Sequence, residues 1–232
     1  MYLRGQCRKF LGYLINHRGI EANPEKVQEL INIRAPTCVK EVQKLTGMVV
    51  ALNRFISRCS DKCHPFYATI KKSKTFAWTV ECDEALARLK EYMSSVPLIS
   101  IPEPHEMLYL YLSVSDKAVS AALLRLNNNV QLPVYYVSKT LLLAEFNYAP
   151  LEKLILALLV ASRKLRHYFD AHPITLYTSH PIKDALRRAD FSGRMEKWSV
   201  ELGRFHIEYQ PRTSIKGQVL ADFVAEFTEP SV

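Results

Sequence analysis

Three neighbouring residues have the chemistry of a transition-metal site: Cys59, Cys63 and His64. Thiolates and imidazoles at short spacing are what zinc selects. No second ligand pair follows at finger spacing, so a non-metal role is the better reading. With Cys7, Cys38 and Cys82 the cysteines number five. That number is odd, and the opening Met-Tyr-Leu-Arg-Gly-Gln-Cys-Arg-Lys has no apolar core of leader length. Free thiols are expected, in a reducing intracellular compartment, cytoplasmic or nuclear rather than secreted. The acids are scattered, and no two aspartates adjoin. Glu152 precedes an apolar run, and Asp222 sits in Leu220-Ala221-Asp222-Phe223. Taken alone, the first reads as a helix acid favoured by the dipole and the second as an exposed helix acid.

The charge adds a partner class. The chain of 232 residues carries a net +8, with a pI of about 9.2. Residues 1–106 hold 16 Lys/Arg against 11 Asp/Glu, and residues 107–232 hold 15 against 12. Both halves are basic, with no like-charge tail. A polyanion such as nucleic acid, met along a surface crossing both halves, fits this pattern better than a basic arm does. A hydrophobic content of 48% and a charged content of 23% fit one large folded domain or two small ones, and argue against wholesale disorder. The longest apolar run, Leu154 to Ala161, is far too short to span a bilayer, so no membrane role is expected.

The elements that position these residues follow from periodicity. Residues 9–16 read as strand, and His17-Arg18-Gly19 as the turn of a hairpin. Asn23-Pro24-Glu25 starts a short helix with a cap, a first-position proline and a first-turn acid, and Pro36 ends it. Thr37 caps a second helix, with Val39, Val42, Leu45, Val49, Leu52 and Ile56 on its buried face. Residues 61–78 read as irregular and basic, with Lys71, Lys72 and Lys74. Thr79 caps a third helix carrying Leu86, Leu89 and Met93. Three prolines in 97–106 mark a boundary. Strands follow at 107–114, 118–126 and 132–138, with a turn at Asn127-Asn128-Asn129. A long helix runs from about 150 to 168, a strand over 173–178, helices over 181–189 and 194–204, a strand over 205–210, and a helix over 218–227. The order βββαβααβα implies a mixed sheet with helices on its faces.

These residues then resemble a known family. Phe10-Leu11-Gly12-Tyr13-Leu14-Ile15, Gly19-Ile20 and Asn23 through Val27 resemble the last palm hairpin and following helix of gypsy-type retrotransposon reverse transcriptases. Val39 through Gly47 with Leu52-Asn53-Arg54-Phe55-Ile56 resembles the thumb-side helix, and Phe76-Ala77-Trp78 with Cys82, Ala85 and Leu86 the connecting segment. Val134-Tyr135-Tyr136-Val137-Ser138, Tyr148 through Lys153, Leu165-Arg166-His167-Tyr168-Phe169 and Gly217 through Asp222 resemble its RNase H-like domain. The spelling is most like that of plant elements. The resemblance implies the end of a palm at 1–36, a mainly helical thumb and connection segment with a β-hairpin at 37–106 and before it, and an α/β RNase H-like domain with a mixed five-stranded sheet at 107–232. It also implies that the chain is part of a polyprotein.

The polymerase centre of that family needs a Tyr-x-Asp-Asp turn, and none exists here, so DNA synthesis by this chain is excluded. RNase H chemistry needs carboxylates that hold two Mg²⁺ about 4 Å apart. On the family's pattern, the helix acid is Glu152 and the last-helix acid Asp222. The first-strand aspartate position falls on Ser113 and the fourth-strand position on Ser179, and a neutral hydroxyl cannot replace a bridging carboxylate. Asp116, three residues past Ser113, would face the opposite side of a continuing strand. Asp184 lies inside the next helix. The site therefore reads as vestigial, with Mg²⁺ not productively bound. Binding of RNA/DNA hybrid rests on phosphates and shape and needs no metal. Its candidate ligands are Arg187, Arg188, Arg194, Lys197, Arg212 and Lys216. Three functions stay open: a degenerate hybrid-binding fragment, a working ribonuclease H with an unusual metal site, and a non-catalytic structural or protein-interaction remnant.

Overall fold

The computed structural model describes residues 8–10, 13–16, 19–71, 76–95, 98–187 and 193–211. Strands β1 (Arg8–Phe10), β2 (Tyr13–Asn16) and β3 (Gly19–Ala22) form an antiparallel meander. The single strand expected over 9–16 is thus two, because Phe10 pairs with Tyr13 and the chain reverses between them. Gly19 is required where it stands: its φ is +147°, and a Cβ there would lie 2.2 Å from the carbonyl oxygen of Ile99. That closeness lets Ile20 and Ile99 exchange backbone hydrogen bonds of 2.8 and 3.1 Å, while the Ser100 N–H donates to Pro133 O at 2.7 Å. The proline-rich stretch read as a boundary therefore ties the small sheet to the large one.

The first core is helical. Helix α1 (Pro24–Ile31) begins as its sequence dictates, with Asn23 Oδ1 accepting from the Glu25 N–H at 3.0 Å. It ends at Ile31, five residues before Pro36, with Gln28 O accepting from the Asn32 N–H and Leu30 O from the Ile33 N–H. In α2 (Val39–Leu52) the cap position is Cys38, one residue past the expected Thr37. Thr37 instead donates its N–H and hydroxyl to the Glu41 carboxylate. After a 3-10 turn at Asn53–Phe55 come α3 (Cys59–Lys62) and α4 (His64–Lys71), where irregular chain was expected. Cys59, Cys63 and Phe66 are buried at i, i+4 and i+7, a helical stripe concealed because two of its members are cysteines. Helix α5 (Val80–Ser94) buries Cys82, Leu86, Leu89 and Met93 against the same core, which also holds Val42, Leu45, Val49 and Phe55.

The second core lies under a five-stranded mixed sheet of order β6-β5-β4-β7-β8. Its strands are β4 (Leu108–Val114), β5 (Ala118–Asn127), β6 (Val130–Thr140), β7 (Ile174–Tyr177) and β8 (Ile207–Gln210). The first three are antiparallel, joined at one end by the expected turn, where Asn128 and Asn129 take positive φ. Strands β7 and β8 add in parallel beside β4. The long helix is α6 (Pro150–Lys164), and the chain leaves helical backbone at Leu165 before α7 (Arg166–Ala171). Helices α8 (Ile182–Arg187) and α9 (Gly193–Leu202) complete the cover. Helix α6 buries Ile155, Leu156, Leu158 and Leu159, each worth roughly 1.5–3 kcal/mol on full burial. The predicted closing helix at 218–227 lies outside the described residues.

Candidate functional site

Alternation along β4 decides what faces where. Leu108, Leu110 and Leu112 enter the core beneath α6, so Tyr109, Tyr111 and Ser113 take the other face. Tyr177 of β7 stacks on Tyr111 and Tyr109, with ring centres 5.3 and 5.8 Å apart. Ser113 ends this row and is 3% exposed. Its register partner is Ser120 of β5, which shares a 3.0 Å hydrogen bond with Ser138 of β6. The Ser113 hydroxyl itself has no hydrogen-bond partner among the described residues. A buried polar atom so left is a cost the fold must carry.

Strands β4 and β7 are parallel neighbours, so their C-terminal ends open together. Ser113 and Ser179 line one cavity of about 300 Å³ there, with Tyr177, Thr178, His180, Pro150 and Leu154. Thr178 and His180 hold the strand end in a local turn through a 3.1 Å bond from the His180 N–H to Thr178 Oγ1. His180, exposed at the mouth, is a titratable group that motif reading passed over. A larger cleft of about 460 Å³ lies elsewhere, between α3, α4 and α5. Four of its charges are paired, Arg58 with Asp61 and Arg88 with Glu84, and Lys62 and Glu81 also line it.

Glu152 stands in the first turn of α6, between the cavity-lining Pro150 and Leu154. Both its oxygens are engaged. Oε2 accepts from the Ala149 N–H at 3.1 Å, completing the helix start, and Oε1 accepts from Arg194 at 3.0 Å. The Arg194 guanidinium also lies 4.0 Å from the ring centre of Tyr148, which tilts against Trp198 at 6.0 Å. At the other end of the same two helices Arg163 of α6 forks onto Glu201 of α9 with two bonds of 2.7 Å. Two ion pairs thus strap α9 along α6, start to start and end to end.

This placement changes several sequence expectations. Arg194, expected on a phosphate, is bound to Glu152. Asp116 is exposed in the turn after β4 instead of continuing the strand, and Asp184 is exposed on α8. Arg187, at the end of α8, borders a groove of about 230 Å³ with Lys183 and Tyr209. Burial pushes the Tyr209 hydroxyl up in pKa, with Arg187 opposing. Lys197 is exposed on α9. Asp222, Arg188, Arg212 and Lys216 lie outside the described residues. The described donors do not suit Mg²⁺: two hydroxyls and a single carboxylate, paired with an arginine and bonded by a backbone N–H, supply too few of the charged oxygens the ion prefers. Among the described residues no three His, Cys, Asp or Glu side chains gather as a metal cluster.

Comparison with known proteins fits this geometry. Residues 78–176 match the family described as the RNase H-like domain found in reverse transcriptase. The chain is 30% identical over 229 residues to the retrovirus-related Pol polyprotein from transposon opus of Drosophila melanogaster, covering 92% of this chain and 22% of that protein. It is 28% identical over 204 residues to the Pol polyprotein from transposon 297 of the same fly, covering 86% of this chain and 19% of that one. It is 26% identical over 232 residues to the transposon Tf2-3 polyprotein of Schizosaccharomyces pombe, covering 96% and 17%. The chain spans about a fifth of the length of these curated relatives. Its fold matches the foamy viral protease-reverse transcriptase solved with double-stranded DNA, at TM-score 0.74 and 22% identity over 90% of this chain and 38% of that one. The same viral protein solved with an RNA/DNA hybrid matches at TM-score 0.73. Over residues 78–176 the chain is thus similar to the RNase H-like domain found in reverse transcriptase, within a longer stretch similar to retrotransposon Pol polyproteins.

Proposed function

We propose that this chain is a piece of a gypsy-type, plant-like retrotransposon reverse transcriptase that binds RNA/DNA hybrid without hydrolysing it. On this reading residues 1–36 close a palm, 37–106 form a thumb and connection segment, and 107–232 the RNase H-like domain, inside a cell and within a longer polyprotein. One observation carries the inactivity: the Glu152 carboxylate is held by Arg194 and the Ala149 N–H, while Ser113 and Ser179 stand where the family's other carboxylates would. A two-metal centre needs anionic oxygens bridging both ions, and these hydroxyls supply none. The basic balance of both halves supports retention of the strand, because phosphate contacts need no metal. The viral relatives of like fold were solved with double-stranded DNA and with hybrid.

A labelled hybrid tests both parts. Anisotropy titrations at two salt concentrations should show binding that weakens steeply as salt rises. Gel resolution in Mg²⁺ and in Mn²⁺ should show the RNA strand intact. Cleavage abolished by Glu152→Gln would establish a working ribonuclease. No binding at low salt would leave a structural or protein-interaction remnant.

A further inference from the structure

Arg54 stands at the seam of the two cores. It lies in the 3-10 turn that packs on β6. Its guanidinium carbon is 4.6 Å from the ring centre of Tyr135, 5.1 Å from that of Tyr13 in β2 and 6.0 Å from that of Phe55. Such rings attract a cation through their faces but accept no ordinary hydrogen bonds in their plane. The Arg54 Nε is buried and has no hydrogen-bond partner among the described residues. Six other described arginines, at 58, 88, 125, 163, 166 and 194, have a carboxylate within 4.0 Å. Among the described residues no carboxylate pairs with Arg54.

On the far side of the seam α7 brings His167 and Tyr168, whose rings lie 4.3 Å apart. His167 is exposed, and Arg54 is near enough to lower its pKa, together with the larger effect of burial. Tyr135 in turn feels both Tyr13 and Tyr168. A guanidinium with no carboxylate beside it therefore lies on the rings of Tyr135 from β6 and Tyr13 from β2, with the His167 imidazole of α7 within electrostatic range. A cation whose donors are unfilled, framed by aromatic faces, is the combination that single nucleic-acid strands engage through phosphate and base.

We propose that Arg54, framed by the rings of Tyr13 and Tyr135, is a subsite for one backbone phosphate of a bound nucleic-acid strand. The inference rests on the hybrid binding proposed above and says where the strand crosses from one core to the other. An anion in contact with the guanidinium satisfies donors that the protein leaves open. The flanking rings offer stacking surface for the adjoining nucleotide. Arg194 has no such role, because Glu152 already fills the place of the anion.

The test compares wild type, Arg54→Gln and Arg88→Gln by anisotropy with a labelled hybrid at several salt concentrations. Arg88 is exposed and paired with Glu84, so its variant should match wild type. Arg54→Gln should bind about tenfold more weakly. Its slope of log affinity against log salt should be shallower by about 0.7–0.9, the counterion release of one phosphate. An unchanged slope in a folded Arg54→Gln, with wild type binding normally, overturns this inference alone and makes Arg54 a staple between the cores. Absence of binding by wild type overturns the hybrid-binding reading itself. Should Arg54→Gln fail to fold, wild type decides: inorganic phosphate should move the His167 ring resonances and raise their titration midpoint. Unmoved resonances at tens of millimolar phosphate, taken as a weak-site concentration, overturn the subsite.

Discussion

Two arginines among the described residues sit on tyrosine rings, and they differ in their charge partners. Arg194 lies 4.0 Å from the ring centre of Tyr148 and also reaches the Glu152 carboxylate at 3.0 Å. Arg54 lies 4.6 Å from that of Tyr135 with no described carboxylate beside it and its Nε unpaired. The difference teaches where charge is spent within the protein and where it stays available. At the first place the charge is met within the protein, where Glu152 and Arg194 pair to strap one helix along another. At the second a cation is held by aromatic faces alone, with no carboxylate beside it and a buried donor unmet. Stability explains the first arrangement. The second calls for a ligand.

The largest effect should come from undoing the strap while restoring the carboxylates. Ser113→Asp with Ser179→Asp should bring hybrid cleavage from nothing to a measurable level, and either change alone should do little, because metal-holding carboxylates act as a unit. Adding Arg194→Ala should raise the rate further by freeing Glu152, and Glu152→Gln should abolish it. A labelled-hybrid gel across these variants checks the order. A triple variant slower than the double would mean that Arg194 positions Glu152 for chemistry and does not withhold it.

Opposite thermodynamic behaviour should follow when each arginine is replaced by methionine. Arg194→Met breaks a partly exposed pair, 40% and 21% exposed on its two sides, and leaves Glu152 with the helix bond alone. It should cost about 1 kcal/mol or less, the range of such pairs. Arg54→Met keeps apolar contact with the rings and removes an unmet donor. It should change stability by no more than about 0.5 kcal/mol in either direction, since the lost cation–π attraction is offset by removal of the unmet buried donor. Urea unfolding without nucleic acid measures both. A loss on Arg54→Met larger than on Arg194→Met would erase the distinction between them.

Much of the scaffold for these two places was legible in the sequence. Asn23-Pro24-Glu25 carries a cap, a proline and an acid in the right order, and α1 starts there. The apolar run in 154–161 lies within α6, and Asn127 through Asn129 make the turn. Such signals are local, so a linear reading captures them. The misses are those where chemistry disguised periodicity or where partners lie far apart. Cys59, Cys63 and Phe66 form a helical stripe, but the segment reads as irregular and basic because two members of the stripe are cysteines. The resemblance placed Ser113 and Ser179 in the family's pattern, and both line one cavity. No pattern showed that Arg194 would reach Glu152, 42 residues away, or that Arg54 would meet Tyr13 and Tyr135. The first is set by how two helices pack within one core, and the contact of Arg54 with Tyr135 by how the two cores meet.

The smallest effect concerns His167, and it reports on Arg54 directly. Burial and then the Arg54 charge hold the His167 pKa below the ordinary histidine value of 6.5. The unfolded chain therefore takes up this proton at a higher pH than the folded one does. Between the two values the unfolded state binds more protons, so the contribution to stability is full above the unfolded value and lost as pH falls toward the folded one. Subtracting the profile of His167→Gln from that of wild type isolates it from the other histidines. In an Arg54→Gln background the same difference should shrink without vanishing, because the burial that is the larger cause remains. Resonance titration of the His167 ring should show its midpoint moving up in Arg54→Gln, toward the ordinary value. A midpoint indifferent to Arg54 would separate the two groups electrostatically, and the seam would then lack the coupling between its arginine and its imidazole.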